Sequence, residues 1–187
     1  MTTAYTPTGL SGLTAGTWTI DPIHSEVAFS VRHMMVGKVR GRFTAFSGEI
    51  VATEDGSATV NVSIDVTSVD TQNAQRDEHI RSGDFFDAAT HPQATFRSTG
   101  LRAHGGQTYV DGELSLHGVT RPVTLELEPG GVTRDPYGNV RAGFSATTEI
   151  ARNDYGITIQ MPMDGGGGVV GEKVRITLEV EAVLQAA

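Results

Sequence analysis

Alternation of apolar and polar residues runs through most of this chain and limits what it can fold into more than any other feature. The clearest run places an apolar side chain at every second position from Ala58 to Val66, and similar runs surround Phe29, Phe96 and Phe144. A period of two indicates a β-strand with one buried face. Glycine, asparagine and aspartate turns separate most of the runs. The pattern predicts roughly eight or nine antiparallel strands in one domain, as a sandwich or a closed barrel.

One stretch, SVDTQNAQRDEHIRSGDFFD, interrupts the alternation. Its central residues are acceptable or good helix formers, Thr71 or the residue before it can cap the N-terminus, and Gly83 can end the helix. The sequence therefore predicts one helix of about three turns at residues 71–83 that covers one end of a barrel. Phe85 and Phe86 follow and are predicted to hold this segment against the wall.

Composition removes several classes of function. Lys and Arg total 14 against 22 Asp and Glu, so the net charge is −8, and no nucleic-acid partner is expected. The absence of cysteine removes disulfides and thiol chemistry. No apolar run reaches about 18 residues, so no stable membrane insertion is expected. Residues 1–15 predict a mobile tail before a single domain at 16–187, and they contain no secretory signal, so a cytoplasmic location is expected.

Motifs for catalysis and cofactor binding are weak. GGGVVG, at residues 166–171, matches a dinucleotide fingerprint in its letters, but it precedes an alternating run and is predicted to be a loop. The six histidines lack metal-binding spacing, so no metal, cofactor or catalytic residue is expected. A metal site built from remote residues stays open, because a barrel can bring them together. An enzyme acting on a small amphiphile also stays open, with His24, His79 and Asp77 as acid–base candidates.

Four blocks of sequence carry a resemblance to a known family. They are WTIDPIHSEVAFSVRHMMVGKVRGRFTAFSGEI, SVDTQNAQRDEHIRSGDFFDAATHPQATFRST, GELSLHGVTRPVTLELE and RAGFSATTEIARNDYGI. In order and spacing, over residues 17–182, these blocks resemble the YceI-like family. The resemblance implies an elongated, eight-stranded antiparallel barrel similar to lipocalins, with the short helix against it. It also implies that a polyisoprenoid, an isoprenoid quinone or another long amphiphilic lipid is carried or stored in the bore, and that homodimers are common.

The predicted binding residues occupy the apolar phase of the strands and the covered end of the barrel. Those predicted to contact the ligand chain are Phe29, Val31, Phe43, Phe85, Phe86, Phe96, Leu114 and Phe144. His79 and Arg81 are predicted to meet a polar head group at the rim, because a guanidinium can donate two parallel hydrogen bonds to a carboxylate or phosphate. Glycines in the same phase, such as Gly41 and Gly112, fit either a bore or an interdigitated core. A filled barrel acting as a structural or interaction module therefore stays open.

Overall fold

Eleven strands follow the alternating runs in the computed structural model, which describes residue 10 and residues 12–186. In chain order they are β1 (Gly16–Ile20), β2 (Glu26–His33), β3 (Gly37–Phe43), β4 (Phe46–Ala52), β5 (Ala58–Asp65), β6 (Val69–Asp70), β7 (Gln93–His104), β8 (Gln107–Leu116), β9 (Val119–Arg134), β10 (Val140–Ala151) and β11 (Val170–Leu184). The helical elements are α1 (Ala74–Arg81) and two 3-10 turns, Val66–Ser68 and Arg152–Tyr155.

The eleven strands form a closed, eight-stranded antiparallel barrel. Three of the eight paths around the barrel are kinked, and each of these three is divided into two strands. One edge of β11 pairs with β10, while its other edge pairs with β2 and, farther along, with β1. β3 and β4 continue one another in the same way, as do β5 and β6. The pairing of β1 with β11 closes the sheet. The predicted barrel is confirmed, and the sandwich alternative is wrong.

The kink between β3 and β4 lies where the apolar phase of the sequence changes parity. Thr44 and Ala45 fall outside both strands. The backbone N–H of Thr44 donates to the carbonyl of Ser68 at 3.2 Å instead of joining the ladder. This two-residue break lets Phe43 and Phe46 both face inward. The break in the strand therefore keeps the apolar residues on the inward face although their parity in the sequence changes.

The helix is shorter than the sequence predicts. It spans Ala74–Arg81, about two turns, rather than 71–83. Asn73 caps it, since its side-chain oxygen accepts a hydrogen bond from the backbone N–H of Arg76 at 2.9 Å. The residue that caps its C-terminus is Ser82, one residue before the glycine predicted to end the helix. Within the described residues, no helix has the length and apolar character needed to cross a bilayer.

A buried carboxylate explains why the residues before the helix do not join it. Asp77 accepts hydrogen bonds from the backbone N–H of Thr71 at 2.9 Å and from its hydroxyl at 2.5 Å. Arg76 adds a hydrogen bond from Nε to the Thr71 hydroxyl at 2.8 Å. These contacts hold the chain between β6 and α1 in a fixed turn. Asp77 thus has a structural role, which sequence reasoning did not foresee.

Buried side chains fill both ends of the barrel. Trp18, with 0% of its surface exposed, is at the centre of one group, and Leu10 and Leu13 pack in this same group. The other group lies near α1 and contains Val66 and Tyr155. Residues 1–9 and residue 11 of the predicted tail lie outside the described residues. Leu10 and Leu13, which the sequence analysis assigns to the tail, are buried.

The glycine-rich segment is a loop as far as Val169, as predicted, while its last two residues, Val170 and Gly171, begin β11. The N–H of Gly166 donates to the carbonyl of Met163 at 3.1 Å, and Pro162 and Gly168 form an isolated β-bridge. The chain then enters β11 at Val170. A dinucleotide fingerprint needs a helix at this point, so the segment lacks the geometry to hold a pyrophosphate.

Candidate ligand-binding cavity

The barrel encloses an apolar cavity of about 240 Å³. Every strand except β6 contributes to its wall, together with α1 and the segment that follows α1. A single water molecule needs only about 10–15 Å³. The cavity is therefore far larger than the voids that close packing leaves in a protein interior. The barrel is hollow, and the alternative of a filled barrel is wrong.

The large residues in the apolar phase of the strands lie on this wall. They are Phe29, Val31, Phe43, Phe96, Leu114 and Phe144, and Phe85 and Phe86 from the segment after α1 lie on it as well. Among the described residues, the polar contributors to the wall are Glu26, Thr148 and Arg152. A wall with so few hydrogen-bonding groups suits an apolar chain. Contact of these side chains with a ligand stays a prediction.

Two glycines make room for aromatic rings on the wall. Phe29 on β2 lies opposite Gly41 on β3, and a Cβ atom at Gly41 would sit 2.5 Å from Phe29 Cζ. A Cβ atom at Gly112 would likewise sit 2.5 Å from Phe96 Cε2. Carbon atoms in contact stay about 3.5–4.0 Å apart. The glycines therefore let both rings lie along the wall instead of across the cavity.

The segment after α1 closes one end of the cavity. Ile80, Phe85 and Phe86 reach the wall. The Phe86 ring lies 5.9 Å from that of Phe43, measured between centroids, in a tilted arrangement that aromatic pairs favour. The N–H of Ala88 donates to a helix carbonyl at 2.9 Å, which ties this segment back to α1. The helix and the two phenylalanines cover the barrel end together, as the sequence predicts.

His79 and Arg81, predicted to meet a head group at the rim, are not among the residues of the cavity wall, and both side chains have protein partners. The Nε of Arg81 donates to the carbonyl of Thr67 at 2.8 Å, and its second terminal nitrogen donates to the carbonyl of Val69 at 3.4 Å. The Nε2 of His79 lies 2.9 Å from a carboxylate oxygen of Asp84. Arg81 thus fastens α1 to the β5–β6 path, while His79 pairs within the same surface segment.

Arg152 is a cationic group on the wall that sequence reasoning missed. Only 5% of its surface is exposed, and it donates to the carbonyls of Ile157 at 2.7 Å, Gly171 at 2.9 Å and Val170 at 3.3 Å. Burial lowers the pKa of Arg152 below its ordinary value, and the negative charge of Glu172 opposes this effect. Each of these hydrogen-bond partners is a neutral carbonyl, so the positive charge lacks a paired carboxylate among the described residues. Its sequence position, directly after the apolar strand β10, gives no hint of this role.

The three acid–base candidates of the enzyme hypothesis are not brought together on the cavity wall. The Nδ1 of His24 lies 2.7 Å from Asp21. Asp77 is committed to the turn before α1, and His79 pairs with Asp84. Each candidate has a separate local partner. The geometry therefore offers no shared acid–base site from these residues.

Asp21 belongs to an ion cluster centred on Arg141. The Arg141 guanidinium lies 2.9 Å from Asp21, 2.8 Å from Asp135 and 2.7 Å from Glu181. The hydrogen bonds from Arg141 and then from His24 lower the pKa of Asp21 to about 2. The cluster joins the β1–β2 turn, the β9–β10 hairpin and β11. It has a structural role in closing the barrel.

Comparison with models of known protein families identifies the family of this chain. The model of the YceI-like domain matches residues 18–182. The chain belongs to the YceI-like family. Protein YceI of Escherichia coli O157:H7 is 40% identical to this YceI-like chain over 164 residues, which cover 87% of this chain and 83% of that protein. The resemblance found in the four sequence blocks is thereby confirmed.

Solved structures share the fold of this YceI-like protein. The crystal structure of the Campylobacter jejuni YceI protein superposes with a TM-score of 0.69 at 27% identity, over 83% of this chain and 90% of that one. A polyisoprenoid binding domain from Saccharophagus degradans, implicated in plant cell wall breakdown, has a TM-score of 0.66 at 21% identity, over 90% of this chain and 98% of that one. Both are similar in fold to the closed barrel described above.

Proposed function

We propose that this YceI-like protein binds one long amphiphilic lipid, of the polyisoprenoid or isoprenoid quinone class, and carries or stores it unchanged. The observation that carries this proposal is the hollow barrel with an almost wholly apolar wall. The similarity in fold to a polyisoprenoid binding domain supports the class of ligand. Flexible apolar chains suit a cavity lined by phenylalanine, leucine and valine.

Burial of the chain supplies enough free energy for useful affinity. Each buried CH₂ group contributes about 0.8 kcal/mol, so ten of them contribute about 8 kcal/mol before ordering costs. Micromolar affinity requires about 8 kcal/mol.

In this proposal an anionic head group binds Arg152 rather than His79 or Arg81. Arg152 lies on the wall, is buried, and makes hydrogen bonds only to neutral carbonyls. A guanidinium has more N–H donors than these three carbonyls use, so donors remain for a phosphate or carboxylate oxygen. A buried positive charge also gains free energy when an anion approaches it.

The first experiment is native mass spectrometry of the purified full chain, followed by organic extraction. We expect a bound isoprenoid lipid at one molecule per chain. Displacement of a fluorescent fatty probe by geranylgeraniol then measures affinity after the native lipid is removed. A delipidated protein that binds neither the probe nor any prenyl alcohol would contradict the proposal.

The head-group assignment is tested with Arg152→Met, which preserves apolar volume, against Arg81→Ala as the matched control. Loss of a hydrogen bond to a charged group costs about 1.5–3 kcal/mol. Arg152→Met should therefore weaken the binding of geranylgeranyl phosphate by roughly 10- to 150-fold. Geranylgeraniol should bind both variants as it binds the parent protein. Equal losses for the two ligands would mean that Arg152 acts only through the structure. Arg152→Lys, which retains the charge, provides a folded comparison if Arg152→Met unfolds.

A further inference from the structure

Two histidines and an aspartate meet outside the cavity, between the segment after α1 and the β8–β9 turn. One ligand atom from each of Asp87, His91 and His117 lies within 4.8 Å of the other two. The imidazole rings of His91 and His117 are 5.2 Å apart between centroids and inclined by 65°. All three side chains are half-buried. We propose that this cluster binds one divalent transition-metal ion of the Zn²⁺ type.

The backbone at this cluster is held in an unusual conformation. Asp87 and His117 have φ angles of 46° and 54°, in the left-handed region that is uncommon for residues other than glycine, although aspartate and histidine adopt it more often than most. The N–H of His91 donates to the carbonyl of Asp87 at 2.8 Å, so a single turn fixes both residues. Such conformations concentrate at sites that position side chains for a ligand.

The tautomer of His117 suits metal binding. Its Nδ1 atom lies 2.9 Å from the carbonyl oxygen of Tyr155. A carbonyl can only accept, so Nδ1 carries the proton, and Nε2 of the neutral ring has the lone pair that can bind a metal. Histidines that bind metals usually donate their other N–H to a carbonyl or carboxylate in this way. Tyr155 itself is buried, with 2% of its surface exposed, so its carbonyl is a fixed acceptor.

Gly118 lets the His91 ring approach this position. A Cβ atom at Gly118 would sit 2.7 Å from His91 Cε1, and the φ angle of Gly118 is 73°. A side chain at this position would displace His91 from His117. The glycine therefore contributes to the site although it supplies no ligand atom.

The donor set selects the class of ion. Two imidazoles and one carboxylate favour Zn²⁺ and neighbouring first-row ions over Mg²⁺ and Ca²⁺, which prefer oxygen ligands. In a tetrahedral site with bonds of about 2.0–2.1 Å, neighbouring ligand atoms lie about 3.3 Å apart. The present ligand atoms lie within 4.8 Å of one another, so metal binding requires them to move closer by up to about 1.5 Å. Three protein ligands leave one position for water or an outside ligand.

A second group of potential metal ligands is less suited to a metal ion. Asp21, His24 and Glu181 also converge. The Arg141 guanidinium, however, lies 2.9 Å from Asp21 and 2.7 Å from Glu181. This fixed positive charge already neutralises the carboxylates and would repel a metal ion.

A metal ion at the proposed site would join two separate parts of the barrel end. Asp87 and His91 follow directly on the phenylalanine pair that covers the cavity, and His117 lies in the β8–β9 turn. The ion would tie the cover to the barrel wall. Because it would bind only the folded arrangement, it would also stabilise the folded protein.

Titration of the EDTA-treated full chain with Zn²⁺ in a calorimeter tests the site. We expect one ion per chain, and strong visible absorption when Co²⁺ is used instead. His91→Ala and His117→Ala should each weaken Zn²⁺ binding by at least about tenfold, the lower bound for losing even an outer-shell partner. His104→Ala removes an exposed histidine elsewhere and is the matched control, which should bind as the parent does.

Thermal unfolding provides the second measurement. Zn²⁺ should raise the Tm of the parent and of His104→Ala, but not that of His91→Ala or His117→Ala. His91→Gln keeps a side chain of similar size and supplies a folded variant if either alanine variant unfolds. Unchanged Zn²⁺ affinity in folded His91 and His117 variants would overturn the proposal. Absence of saturable binding by the folded parent at millimolar Zn²⁺ would overturn it as well.

Discussion

Replacement of Gly41 by alanine should narrow the cavity by moving one ring. The new Cβ atom would sit 2.5 Å from Phe29 Cζ and 2.9 Å from Thr71 Cγ2. Because carbon atoms in contact stay about 3.5 Å apart, the Phe29 ring must move by about 1 Å, toward the open cavity. If this movement excludes one or two methylene groups of a bound chain, binding weakens by about 0.8–1.6 kcal/mol. Kd should therefore rise about 4- to 15-fold.

The assay for Gly41→Ala is displacement of a fluorescent fatty probe by prenyl alcohols of increasing length. The loss should be largest for the longest chains, which fill the cavity, and small for the shortest. Gly100→Ala is the matched control, because a Cβ atom there meets nothing within 4 Å. Overpacking of a core typically costs about 1–3 kcal/mol, so urea unfolding must first show that the variant is folded. A folded Gly41→Ala protein with unchanged Kd at every chain length would refute the reasoning, as would an equal loss in Gly100→Ala.

Three further predictions concern stability, measured by urea unfolding. Phe144→Ala should lower the free energy of unfolding by about 3 kcal/mol, near the lower end for such changes, since the ring already borders a cavity. An unchanged free energy of unfolding would contradict the packing of the Phe144 ring. Asp77→Ala should cost about 1–3 kcal/mol, because two buried donors lose their acceptor; an unchanged urea midpoint would contradict this. Arg141 and then His24 lower the pKa of Asp21 from 3.8 to about 2, so the stability it supplies is complete above about pH 4 and is lost as pH falls toward 2. Asp21→Asn should flatten that part of the profile; an unaltered slope would contradict the assignment.

The barrel and the composition of its wall could be predicted because strand periodicity assigns each residue to a face. Once the apolar phase is known, Phe29, Phe96 and Phe144 can only point inward together. The kinks between β1 and β2 and between β3 and β4 depend on pairing with distant strands. The change of apolar parity between Phe43 and Phe46 marks the second of these kinks in the sequence, but the sequence does not show which distant strands pair on either side of it.

The polar part of the site could not be predicted, because its partners come together only in the folded barrel. Arg81 was expected at a ligand head group. Instead, it donates hydrogen bonds to the carbonyls of Thr67 and Val69 near the β5–β6 kink. Buried or partly buried backbone carbonyls require donors, and this requirement cannot be seen in a sequence. Arg152, which follows a strand, gains partners 5, 18 and 19 positions away, and His117, which follows another strand, gains one 38 positions away.

The pairing of β11 with β1 and β2, called the seam here, determines when the barrel can close during synthesis. At this seam the Ser25 hydroxyl both donates to and accepts from the backbone of Glu181, 156 positions away. Ribosomes add about 5–20 residues per second, so the early strands keep an unpaired edge for about 8–30 s. Such distant pairings also form slowly. A lipid can therefore be enclosed only after β11 has been made, and the nascent chain must be protected from aggregation until then.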